Sequence, residues 1–450
     1  MTGSPPLVSK IDWHAPKRRL VARFDGAAGE GLTVPTDRPT TFAALFCVGE
    51  YRAMWGAGLV SSTGDQLARV ALALLVFDHS GSPFLTTLTY ALTMLPALVG
   101  GPLLGGLADR YPRRDLIITC NLIRAVLGAA MALPSIPFAA LCVLVFGMQL
   151  LDPPERSARA ALLRDVLPGD LYALGAATTG LTYQVTLLTG FGIGAVIVTV
   201  IGPHLALAVN AATFACCAVI MWAGVRRRPA VADGAPARLR AGVAEGFRLI
   251  VGSPRLRTIL ALALLAGFFV IPEGLAVPYA AQIHMPRRLI GVLLGAIPAG
   301  NVIGMFLIGR MLRRDAQVRS LGPLAAFAGL PLTACALQPG MTVSAALWTL
   351  TGVGAAYQVI AQAEFVRAVP EHQRGQAFGL AAPAITAIQG IGLLLGGVLA
   401  DHIGAATTIG ITGAAGLVTG TPLAMAWRRV RTTTTASGPG AIVAAVGPDR

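Results

Sequence analysis

A chain of 450 residues that is 55% hydrophobic, only 12% charged and carries 53 glycines has more apolar surface than one soluble core can bury, so an ordinary soluble domain is excluded. Its formal net charge of +14 would suit nucleic acid, but the basic residues sit in alternate hydrophilic loops rather than on one patch, which excludes that partner too. A multi-spanning membrane protein remains. A hydrocarbon core about 30 Å thick needs roughly 20 apolar helical residues to cross, because nothing in it satisfies exposed peptide groups.

In chain order, residues 1–50 hold Pro5, Pro6, Pro16, Pro35 and Pro39 with the basic cluster Lys17, Arg18 and Arg19, and read as a disordered cytoplasmic tail without a signal-peptide core. Residues 40–48 are too short to span and read as an interfacial approach to the first helix. Twelve spans follow, at 53–77, 83–107, 115–134, 137–157, 173–201, 203–225, 256–280, 288–309, 319–338, 341–364, 375–400 and 404–427. In the fourth, Pro153 and Pro154 cut the apolar run short and Arg156 follows at once. A cytoplasmic linker, 226–255, separates a six-helix bundle at 51–225 from another at 256–427, and within the loop 239–251 predicts a short surface helix. Residues 428–450, with Thr432 to Thr435, Gly438 and Gly440, form a second cytoplasmic tail. With both termini inside, all but four of the 35 Lys and Arg are cytoplasmic; Arg287 and Arg288 fall in outer loops, Arg69 and Arg124 within spans. The expected fold class is therefore all-α integral membrane, a multi-pass chain in the plasma membrane (bacterial inner membrane).

The halves repeat. A shift of 200 residues aligns Arg110, Arg113 and Arg114 with Arg310, Arg313 and Arg314, each set directly after the second span of its half, and aligns Gly190 and Gly192 with Gly390 and Gly392. Duplicated six-helix halves are the arrangement in which transporters rock one half against the other around a central site. Six cysteines lie in or beside apolar segments without a CxxC pair, and six histidines share no helix face, so neither a disulfide framework nor a metal site is expected, and no cofactor.

The stretch GGLADRYPRR, with Gly105, Asp109, Arg110, Arg113 and Arg114, resembles the loop-2/3 signature G-x-x-x-D-R-x-G-R-[RK] of the major facilitator superfamily, and the resemblance covers all twelve spans, in two pseudo-symmetric six-helix bundles. Asp65 and Gln66 within SSTGDQLARVALALLVF, and RAVPEHQRG from Arg367 to Gly375, resemble its bacterial drug and siderophore exporter branch. The resemblance implies a cytoplasmic latch between the second span and the start of the eleventh. Asp109 would meet the positive N-terminal end of the helix beginning near Gly375, an interaction of about 0.3 to 2 kcal/mol, and Arg113 would pair with Asp152 or Glu155. For Arg110 and Arg114, plain inside-loop topology is an equal reading. Pro112 stands where the family has glycine and Gly309 replaces the acid in the second copy, so only the first copy should latch. The fifth-span glycines of TGFGIGA, Thr189 to Ala195, have Phe191 where an antiporter proline would stand, and close helix packing explains them as well.

Charges inside spans cost roughly 2.5 to 3.5 kcal/mol each on insertion scales and tend to face a cavity or a partner. Asp65 and Arg69 are i,i+4 and can neutralise each other; Arg124 either claims Asp65 or takes the anionic part of a substrate. Glu273 lies mid-span beside Pro272 and Gly274, a lone acid able to take a proton from one side and release it to the other, unless it merely braces a helix break. Asp65 and Glu273 are thus the proton-coupling candidates. Ser61, Ser62, Gln66, Tyr183, Gln184, Asn301, Tyr357, Gln358 and Gln362, with Arg124, are candidates for a mostly apolar cavity suited to an amphipathic solute. No GxxxxGK[ST] loop supports an ATP-driven pump, and no convergent acid-base set supports a membrane enzyme; a scaffold would leave the latch and the duplication without purpose. The expected function is secondary transport by alternating access: proton-coupled efflux of a drug, siderophore or secondary metabolite by a monomer, with an importer or lipid flippase of the same fold as the alternative.

Overall fold

The computed structural model describes residues 41–104, 107–167, 169–229, 239–370 and 373–436, and among them helix follows helix with no strand. The described residues begin inside the expected 1–50 tail. The Thr41 hydroxyl accepts from the Ala44 N–H at 3.3 Å and starts the short helix Phe42–Cys47, whose Leu45 is fully buried beside Tyr51 and Gly175. Residues 1–40 and 437–450 of the two expected tails lie outside the described residues.

Among the described residues, ten helices are long and apolar enough to cross a membrane. The first span, Gly49–Ser80, stops at Gly81, whose φ of +64° is the left-handed conformation that glycine adopts without Cβ strain. Ser82 then caps the next helix through the Leu85 N–H at 3.2 Å, with Pro83 at the first helical position. The second and third spans fall outside the ten for readable reasons. The second is divided into Pro83–Ala91 and Pro96–Leu104, since Pro96 has no N–H to give and its ring crowds the Leu92 carbonyl. The third, Arg113–Met131, carries Arg113, Arg114, Asp115 and Arg124 within 19 residues.

The fourth span corrects the sequence reading. Phe138–Leu150 and Asp152–Val166 join through Leu151 in right-handed conformation, so the helix runs on well past 157. Pro153 and Pro154 sit in the first turn of the second piece, where a missing N–H leaves nothing unsatisfied, and they bend the helix without ending it. The fifth, Asp170–Ile201, and sixth, Pro203–Gly224, are joined by Gly202 alone. The eleventh, Arg374–Ile403, and twelfth, Ala405–Ala436, are joined by Gly404 alone, and the two glycines share one conformation (φ 82°, ψ 157° and φ 85°, ψ 155°). The twelfth helix continues beyond the expected end at 427. The seventh is broken into Pro254–Leu264, Ala266–Phe269, Ile271–Gly274 and Ala276–Gln282, with interruptions at Leu265, Val270 and Leu275 that bracket Glu273. The eighth to tenth occupy Ile290–Met311, Arg314–Leu337 and Met341–Ala368.

Between the halves, helix Leu239–Gly252 lies where a surface helix was expected, but it docks on the eleventh span: a Cβ on Gly246 would stand 2.6 Å from the Gln376 carbonyl oxygen. The first span packs on the fifth and sixth, and the sixth on the third; the eighth packs on the tenth, and the twelfth on the seventh and ninth. Large apolar side chains face outward, Val200 78% and Val143 71% exposed with Trp222, Leu395 and Phe306 similar, as lipid-facing helices require.

The two groups of six meet mainly at the end that carries Gly81. There Pro83–Ala91 lies against the eleventh span so closely that a Cβ on Gly397 would overlap the Thr87 hydroxyl, and the fifth span touches the eighth with a would-be Gly291 Cβ 3.0 Å from the Phe191 carbonyl. Asp401 of the eleventh span accepts from the Phe84 N–H at 3.0 Å and the Ser82 hydroxyl at 3.1 Å, capping the second span from across the divide. Arg287 reaches Asp78 at 2.9 Å. At the opposite end, which carries Tyr111, Arg113–Asp165, Arg227–Asp115 and Arg228–Glu50 join residues of the first six spans, and Arg255–Glu364 and Arg367–Glu364 join residues of the last six.

Candidate functional site

Two neighbouring cavities share Arg69 and Tyr183. The central one, about 350 Å³, is walled by both groups of spans: Arg69, Met94, Tyr183, Gln184, Leu187 and Phe191 from the first six, and Phe269, Val270, Glu273, Ile297, Asn301, Gln358 and Gln389 among those from the last six. Expected residues Tyr183, Gln184, Glu273, Asn301 and Gln358 therefore converge. The second cavity, about 450 Å³, belongs to the first six spans and is lined by the cavity candidates Ser61, Ser62, Gln66 and Arg124 and by Asp65, together with Asp152, Glu155, Arg156 and Arg159. Tyr357 lines neither; it is fully buried and donates to the Leu262 carbonyl at 3.0 Å, tying the tenth span to the seventh. Gln362 is exposed and also lies outside both.

Apart from Arg69, which the two cavities share, the charges of the second cavity neutralise one another. Arg124, 1% exposed, reaches Asp65 at 3.4 Å and Glu155 at 3.5 Å, and its guanidinium lies 4.2 Å from the centre of the Phe214 ring. Arg159 completes the set by pairing with Glu155 and donating to the Met54 carbonyl at 3.1 Å. Asp152 pairs with Arg156 at 2.6 Å. Of the alternatives left open by the sequence, Asp65 thus goes to Arg124 rather than to Arg69 one helical turn away. Arg124 is held on both sides by carboxylates.

The latch reading is corrected in one part. Arg113 pairs with Asp165, not with Asp152 or Glu155, because the fourth span continues to Val166 and carries Asp165 to the Tyr111 end, while Asp152 and Glu155 stay within the bundle. Arg114 donates to the Trp222 carbonyl at 2.5 Å, and Arg110 is exposed. Gly105 and the side chain of Asp109 lie outside the described residues.

At the wall between the groups, the Tyr90 hydroxyl donates to Glu273 Oε2 at 2.9 Å, joining the second span to the seventh. The Arg69 guanidinium lies 6.0 Å from the centre of the same Tyr90 ring. A would-be Cβ on Gly274 stands 3.3 Å from Thr87, so the break beside Glu273 lets the second span approach closely enough for this bond. Sequence reasoning missed Gln389 and also Tyr90, which lies among Thr86, Thr87, Thr89 and Thr93. The glycine next to Glu273, a sign of close helix approach, was the available signal for Tyr90.

The sequence pattern described as Major Facilitator Superfamily matches residues 54–346 and 274–445. The chain is 26% identical over 77% of its length to the multidrug efflux pump Tap of Mycolicibacterium fortuitum, covering 88% of that protein. It is 21% identical over 79% of its length to macrolide efflux protein A of Streptococcus pyogenes, covering 90% of it. In fold it resembles the crystal structure of nucleoside transporter NupG (TM-score 0.68, 14% identity, 85% of this chain and 98% of that one). It also resembles an inward-facing, unoccupied bacterial homologue of the human lysosomal transporter Spinster (TM-score 0.66, 15% identity, 87% and 98%).

Proposed function

The chain belongs to the major facilitator superfamily of membrane transporters, and from that premise we propose that it exports an amphipathic small organic molecule in exchange for protons by alternating access. The relatives named as multidrug and macrolide efflux pumps support the direction. The positive-inside rule puts both termini in the cytoplasm of a bacterial inner membrane and the Gly81 end outside, so the state described here is open to the cytoplasm. A single chain suffices, since both walls of the central cavity come from it.

The observation that carries the reading is the Tyr90–Glu273 hydrogen bond, which crosses from the first six spans to the last six at the cavity wall. An ionised carboxylate accepts a hydrogen bond roughly twice as strong as a neutral one. Ionised and empty, Glu273 therefore holds the second and seventh spans together on the outer side. A proton on Glu273, or a cationic group of the solute beside it, competes with Tyr90 for the carboxylate and loosens the bridge. The empty carrier is held and either occupant releases it, which is the rule an exchanger must obey. Asp65, committed to Arg124, serves the closed charge network instead.

Everted vesicles with an imposed proton gradient test this. Gradient-driven accumulation of an amphipathic dye is expected in the native protein, a loss of it in Glu273→Gln, and retention of gradient dependence in Asp65→Asn. Unchanged gradient-driven transport in Glu273→Gln would sink the proton-carrier role, and dye movement only in the opposite direction would favour import.

A further inference from the structure

Once Asp65 is committed to Arg124, two charges in the central cavity are left without an ionic partner. Among the described residues no carboxylate oxygen lies within 4.0 Å of the Arg69 guanidinium, and its buried Nε has no hydrogen-bond partner. An arginine cannot shed its proton, and an unneutralised cation inside a span is costly enough to call for a partner that comes and goes. On the other side of Tyr90 stands Glu273, whose described partner is the neutral phenol. Tyr90 separates the two, with Arg69 over its ring face and Glu273 at its hydroxyl. Among the described residues, Arg69 and Glu273 are the charged ones lining this cavity and Tyr183 the other titratable one; the rest of its polar wall is amides, and the remainder is apolar, with Phe191, Leu187, Met94 and Phe269. The buried Asn301 Oδ1 also lacks a partner.

We infer that the central cavity binds amphoteric amphipathic solutes, Arg69 taking the anionic group, Glu273 the cationic group, and the aromatic and aliphatic wall the body between them. The cavity as a whole is neutral but dipolar. A zwitterion of complementary sense enters without burying net charge, whereas a purely anionic or cationic analogue leaves one wall charge unpaired. The cationic group also competes with the proton for Glu273, so this binding mode deepens the exchange reading above and rests on it for its transport consequence.

Three dyes of one aromatic framework test it on the purified full chain in nanodiscs: rhodamine B, which carries both charges, its ethyl ester, which is cationic only, and fluorescein, which is anionic only. Rhodamine B is expected to bind at least about tenfold more tightly than either, the effect of one charged hydrogen bond. Arg69→Gln should abolish its advantage over the ester by weakening rhodamine B without weakening the ester, while Arg69→Lys retains part of it. Glu273→Gln should abolish its advantage over fluorescein and the weakening of rhodamine B binding as the pH is lowered, since the proton competes for that carboxylate. Equal affinities for the three dyes, no binding of rhodamine B, or an Arg69→Gln variant that weakens rhodamine B and its ester alike would overturn the inference. Charge-selective binding without dye export in everted vesicles would leave the binding inference standing and remove the export reading. Proton-driven export without Arg69-dependent selectivity would do the reverse.

Discussion

The first six spans concentrate charge and the last six nearly exclude it. Around the second cavity, Asp65, Glu155, Arg124 and Arg159 form one set and Asp152 with Arg156 another, each neutral in sum. The last six spans bring Glu273 to the central cavity and otherwise keep their carboxylate–arginine contact at the membrane end, where Glu364 meets Arg255 and Arg367. Buried charge is tolerable in closed sets, because removing one partner leaves the other desolvated and alone. What distinguishes Arg69 and Glu273 is that neither belongs to a closed set, and both stand where the two groups of spans face each other.

The contrast is most directly broken at Glu155. Glu155→Gln leaves Arg159 without a carboxylate and Arg124 with Asp65 alone, and is expected to cost about 3 to 5 kcal/mol, seen as a sharp fall in detergent thermal stability; pairing it with Arg159→Met, which keeps the Asp65–Arg124 pair, should restore part of the loss. An unchanged melting temperature in the single variant would show that the set is not closed. Next comes the contact surface of the last six spans. Gly397→Val drives a side chain into Thr87 and should disfavour the closed Gly81 end by about 1 to 3 kcal/mol, read as a longer distance between spin labels placed across that end. If the distance distribution stays single and short, the close approach at Gly397 is not what holds the end together. Asp401→Asn weakens the cap on the second span and should shift the same distribution more modestly, by about 0.5 to 2 kcal/mol. Smallest is Glu364→Gln. Although Glu364 is buried, its partners Arg255 and Arg367 are 34% and 47% exposed and can turn to water, so a loss of about 1 kcal/mol or less is expected. A Glu364 effect as large as that of Glu155 would erase the difference between the halves.

Much of this molecule is legible in its sequence because lipid imposes one rule on every span. Start and stop positions follow the apolar runs, and they fail where a local device intervenes, as with Pro153 and Pro154, which look like a terminus and act as a first turn. The cavity residues Tyr183, Gln184, Glu273, Asn301 and Gln358 were visible as polar exceptions in apolar helices. Partner choice was not. The i,i+4 spacing of Asp65 and Arg69 promises a pair, but whether a third-span arginine outbids it depends on helix rotation, which periodicity alone does not report. Arg113 could not be assigned to Asp165 without knowing that the fourth span runs to Val166. Tyr90 and Glu273 are 183 residues apart, and nothing local in the chain links them.

Gly202 and Gly404 each connect two long helices by a single residue. Such a hinge has no slack: neither partner can slide along its own axis past the other without pulling the turn apart. The fifth and sixth helices, like the eleventh and twelfth, are therefore coupled as stiff hairpins, and displacement of one arm of a pair against the other is confined to their far ends.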